Sequence, residues 1–274
     1  GEDGGHAIYR SLMDTPQRSD SGPGLSIATA IAVVAAVVFN TLFNRFPPSG
    51  QSIGDISTTI LSGVLITPAS YAFAIWGAIY LGLFAYVVYQ FHPERRREPV
   101  IQRVNGLLIL ACIVQTVWIL LFTFQQFGWS ILAMVALLLA LIGIYTTLNI
   151  GRERVSRQRR WMAHIPFSLY LGWISVATVV NIASALYASA WGGWGISSAT
   201  WTVVMIVVAA LIGAAVIYTR RDLAFTLVLV WALVAIAVRQ SDIPAVQWVA
   251  LIMAGLLLIW LAVATYALPK PMHS

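Results

Sequence analysis

From residue 25 to residue 268 the chain is a succession of apolar runs, each long enough to cross a ~30 Å hydrocarbon core as a helix of about 17–25 residues. No Asp, Glu, Lys or Arg stands in the middle of any run. In hydrocarbon every backbone N–H and C=O needs a partner, and a helix supplies those partners within its own segment. The predicted fold is therefore all-α, a polytopic membrane helix bundle. A hydrophobic share of 59% against a charged share of 9% excludes a water-soluble enzyme.

The expected spans are 25–46, 68–91, 105–124, 128–149, 164–189, 199–219, 222–239 and 244–268. The seventh is the shortest, with Arg239 and Asp242 at or just past its end. Eight spans place nearly all basic residues on one side: Arg10 and Arg18, Arg95 to Arg97 with Arg103, the cluster Arg152, Arg154, Arg157, Arg159 and Arg160, then Arg220, Arg221 and Lys270. Of the 16 basic residues only Arg45 and Arg239 fall on the other side. The positive-inside rule then predicts cytoplasmic termini, with a bacterial inner membrane as the expected location. The net charge of +6 reflects this asymmetry and suits anionic headgroups; nothing in it points to nucleic acid.

Residues 1–24 are polar and mixed in charge and read as a cytoplasmic tail, without the pattern of a signal peptide. Cys112, the one cysteine, reads as a small apolar core residue. The longest link, 47–67, opens on Pro47-Pro48-Ser49-Gly50 and ends in an apolar run, Ile60–Ile66. Such a segment is expected to fold back over the bundle mouth or to lie along the interface. Trp129, Trp161, Trp191, Trp194, Trp201 and Trp248 lie near span ends and read as interfacial belt residues.

Trp76, Trp118 and Trp173 lie within spans, where a belt does not explain them. Pro68 precedes Trp76 by eight residues, and Tyr80 follows it. The third span carries Gln115-Thr-Val-Trp118, and the fifth Tyr170-Leu-Gly-Trp173-Ile-Ser-Val-Ala177-Thr-Val-Val-Asn181. This ordered set resembles the tryptophan-rich sensory protein family, also called TspO or translocator proteins. Gln115 stands where that family has Asn. The resemblance implies a five-helix bundle over 25–189, leaving 190–274 as a three-helix C-terminal extension. It also implies a site built from Trp76, Tyr80, Gln115, Trp118, Tyr170, Trp173, Ala177 and Asn181, and a porphyrin-type ligand.

The same residues support this on physical grounds. Trp173, Ala177 and Asn181 share one helical face, and rigid indoles turned inward leave a flat-walled slot. An aromatic wall beside an amide suits a planar, largely apolar molecule with a few polar groups, as in a tetrapyrrole of porphyrin, haem or chlorophyll type. No obligatory cofactor is expected. The bland alternative is that these aromatics only pack the bundle. Asn40, Asn44, Gln115 and Asn181 are each expected to bond across to another helix, with Asn181 the best candidate for a ligand contact. His164 reads as a solvated helix-start residue in preference to a metal ligand.

The leading expectation is thus a non-catalytic sensor or carrier-like protein for a lipophilic ligand. An accessory, pigment-binding subunit of a larger membrane complex such as a photosynthetic assembly is the alternative. Expected partners are the bilayer, a lipophilic small molecule and either a second copy or that larger complex. Coupled transport and catalysis are disfavoured, since the spans hold no mid-depth charge, acid–base pair or nucleophile triad.

Overall fold

The computed structural model describes residues 22–269, so most of the proposed tail and Lys270 lie outside the described residues. Eight long helices carry the fold: α1 (Gly24–Arg45), α2 (Ile75–Gln90), α3 (Pro99–Thr123), α4 (Phe127–Thr147), α5 (Ile165–Ala188), α6 (Ser198–Arg220), α7 (Leu223–Arg239) and α8 (Pro244–Tyr266). No strand occurs among the described residues. With the short turns that lead into α2 and α5 included, seven helices have the length and hydropathy to cross a membrane; α7, at 17 residues, is the short one. The protein is an integral membrane helix bundle.

Local chemistry sets the helix ends. Pro99 and Pro244 occupy first-turn positions of α3 and α8, where a missing N–H costs nothing. Ser197 and Asp222 cap α6 and α7 through their side chains. Arg221, left-handed at φ 50°, turns the chain directly from α6 into α7. Within the helices, hydroxyls such as Thr29, Thr123 and Thr178 donate to the carbonyl four residues back, which satisfies them without water.

Two boundaries differ from expectation. Residues 70–74 form a 3-10 turn, so regular α2 starts at Ile75 rather than near 68. Helix α3 starts six residues early, at Pro99, and carries Arg103 on its first turns.

Helix α5 is central, packing on α2, α4 and α7. Helix α7 in turn packs on α5, α6 and α8, and joins the last three helices to the first five. A Cβ at Gly172 of α5 would stand 3.1 Å from Val228 Cβ of α7, so the glycine permits this close crossing.

Hydrogen bonds define two faces. On one, Arg159 pairs with Glu98 at 2.8 Å, Arg220 donates to Ile150 O at 3.2 Å, and Arg221 to Leu268 O at 3.2 Å. Gln90 donates to Ser26 O on the same face. The Arg-rich links and both ends of the described chain therefore lie together. Helix α7 runs from Asp222 on this face to Arg239 on the other, where Arg239 donates to Ser62 O and Thr67 O.

Candidate ligand cavity

The 47–67 link folds back over the bundle mouth. A capping box between Ser52 and Asp55 starts a six-residue helix, Ile53–Thr58. The Ser52 backbone N–H donates to Asp55 Oδ2 at 3.0 Å and, with the Ser52 side chain beside it, holds the Asp55 carboxyl below the usual carboxylate range. Ile56, Leu61, Val64 and Ile66 are buried and anchor the segment. Trp231 of α7 donates its indole N–H to Ala72 O at 3.0 Å, and Gln240 donates to Leu65 O at 3.0 Å.

Beneath this cover lies a cavity of about 640 Å³. Seven of the eight residues singled out by sequence line it: Trp76, Tyr80, Gln115, Trp118, Trp173, Ala177 and Asn181. Tyr170 does not. It is 1% exposed, lies behind the wall, donates its hydroxyl to Gln115 Oε1, and meets Trp76 edge-on at 5.9 Å. Phe73 crosses Trp173 at 5.6 Å, and Trp118 stacks on Phe122 at 5.0 Å. These contacts fix ring planes that would otherwise turn freely.

The polar residues are mostly engaged with the protein itself. Trp118 Nε1 donates to Asn181 Oδ1 at 2.7 Å, and Asn181 Nδ2 donates to Ser130 Oγ at 2.9 Å, linking α3, α5 and α4. Asn181 keeps one N–H and one lone pair for other partners. Asn40 donates to the Tyr80 hydroxyl, and Asn44 to Asn40 Oδ1 at 2.8 Å. Asn40, Gln115 and Asn181 thus bond across helices as expected, whereas the Asn44 bond stays within α1, one turn back to Asn40, and corrects that expectation.

Sequence reasoning missed Arg239, which lines the cavity from α7. The available signal was its place as one of two arginines opposing the charge asymmetry. It also missed a buried set near the other face, where Tyr86 donates to Asn105 at 2.6 Å and Asn105 to Gln90 at 3.0 Å. His164 corrects an expectation. It is 5% exposed, on a π-helical turn, Arg160–His164, packed against α2, so it is not a solvated helix start. Among the described residues no group of three or more His, Cys, Asp or Glu could hold a metal ion. Cys112 is free and buried, as its apolar setting implies.

A polytopic helix bundle with an aromatic-walled chamber under a folded-back link defines the class: a membrane bundle with an internal small-molecule-sized cavity. The particular family follows from comparison. The family model described as TSPO-like protein matches residues 26–263, and the chain belongs to that family. The match runs through α6 and α7 and nearly to the end of α8. No curated protein and no solved structure matches the chain.

Proposed function

We propose that this TspO-type membrane protein binds a flat, lipophilic small molecule of the tetrapyrrole class in the cavity between α2, α3 and α5, and acts as a sensor or carrier without covalent chemistry. One observation carries the reading: Trp76, Trp118 and Trp173, from three different helices, line a single chamber. Its volume falls in the ~300–1,000 Å³ range of small-molecule sites. A core that only needed packing would close on itself, because a void forfeits dispersion contacts along its whole lining. Family membership supports the same reading. The charge asymmetry of the links supports cytoplasmic termini, with the cavity in the opposite half of the membrane.

The test is a titration of the full chain in nanodiscs with protoporphyrin IX, followed by quenching of tryptophan emission. Saturable quenching is expected. Trp118→Phe combined with Trp173→Phe removes indole area and the bond to Asn181, and should weaken binding by about tenfold. An unchanged affinity in that double variant would refute the assignment.

A further inference from the structure

The cavity is apolar in bulk but carries one charge. Arg239, half-buried at the C-terminal end of α7, is the charged residue in a lining otherwise made of uncharged side chains, and its guanidinium is bonded to Thr67, itself a lining residue. Its two terminal nitrogens donate to Thr67 O and Ser62 O, each at 3.3 Å. A guanidinium has five N–H donors in a fixed fork, so three remain. No carboxylate pairs with it among the described residues, where Arg159 with Glu98 is the ion pair formed. The negative end of the α7 dipole and two carbonyls answer part of the charge. A cation in such a setting is completed by an anion, and the fork matches carboxylate or phosphate with two parallel bonds.

We propose that Arg239 anchors an acidic group on the ligand of this cavity. The ligand is then an amphiphilic acid: a flat apolar body among the indoles and a carboxylate or phosphate at the guanidinium. Asn44 and Ser57 line the same chamber and add neutral polar groups to its wall. This inference rests on the cavity reading above and adds the ligand's charge. It also gives α7 a part in recognition, since a bundle of the first five helices alone lacks this group.

The experiment compares protoporphyrin IX with its dimethyl ester, a matched acid and neutral form of one ring. Both are titrated against the wild-type chain, Arg239→Gln and Arg239→Lys in neutral phosphatidylcholine nanodiscs. The wild type should bind the acid about tenfold to a hundredfold more tightly than the ester. Arg239→Gln should erase that difference by weakening the acid alone, and Arg239→Lys should keep part of it. Equal binding of acid and ester by the wild type would overturn the anchor while leaving the cavity reading intact. So would an Arg239→Gln variant that weakens both forms alike, because Arg239 would then serve only to pin residues 62–67. Failure of both forms to bind would overturn the cavity reading and the anchor together. Repeating the titration with phosphatidylglycerol present separates two sources of the acid. Competition seen in the wild type but not in Arg239→Gln supports the anchor with a lipid head group as its occupant. Undisturbed binding of the acid supports the anchor for a free amphiphilic acid.

Discussion

Single residues at helix ends do more to fix this bundle than their place in the sequence suggests. Asp222 is 6% exposed and accepts three bonds: from Tyr145 of α4 at 2.8 Å, from Ser168 of α5 at 2.6 Å, and from the Phe225 amide at 3.0 Å. One carboxyl group thus caps α7 and ties it to two other helices. Asp222→Ala leaves two buried hydroxyls and an amide without an acceptor, at about 2–4 kcal/mol. The expected outcome is a clear fall in Tm in detergent, with Asp222→Asn falling less because it keeps one acceptor. A Tm equal to wild type would show that this joint carries no load. Neither Asp222 nor Arg239 could be assigned such work from sequence: both stand at span ends, and the asymmetry that sets Arg239 apart says nothing of what it touches. Their partners are also remote, with Arg239 lying 172 residues from Thr67.

At the scale of elements, sequence said most where a motif and a helical period coincided. Trp173, Ala177 and Asn181 share a face by spacing alone, and Trp76 and Trp118 fall within the expected spans, where a belt explains them less well than it explains the tryptophans at span ends. The structure brings all five to one chamber. Tyr170 belongs to the same motif yet turns behind the wall, because spacing gives an angle around the helix axis and not which neighbour fills the gap. The belt residues Trp129 and Trp194 are 66% and 80% exposed, as a lipid-water interface requires. Helix packing follows small residues. A Cβ at Gly82 of α2 would stand 2.8 Å from Pro166 Cβ of α5, and a ring held in the backbone cannot swing aside. Gly82→Ala should therefore push α2 from α5 and cost about 1–3 kcal/mol. Gly106→Ala, with nothing within 4 Å, is the matched control and should hold or raise Tm. Thermal scans of the two variants decide this, and equal stability would contradict the close crossing.

Across the whole molecule, eight helices place the Arg-rich links and both described ends on one face, and the cavity under its folded-back cover toward the other. Helix α7 reaches from the first face to the second with 17 residues, about 25 Å of rise. It is buried along much of its length and bonded at both ends, so it does not need the length of a lipid-facing span. Its C-terminal end completes the cavity wall, which makes the last three helices part of the site's surroundings. Crystals grown with a palladium porphyrin test the account most directly, because the metal marks its own position in an anomalous difference map. One peak between Trp76, Trp118 and Trp173 is the predicted result. A peak on the lipid-facing surface, or an unoccupied chamber at saturating porphyrin, would contradict it.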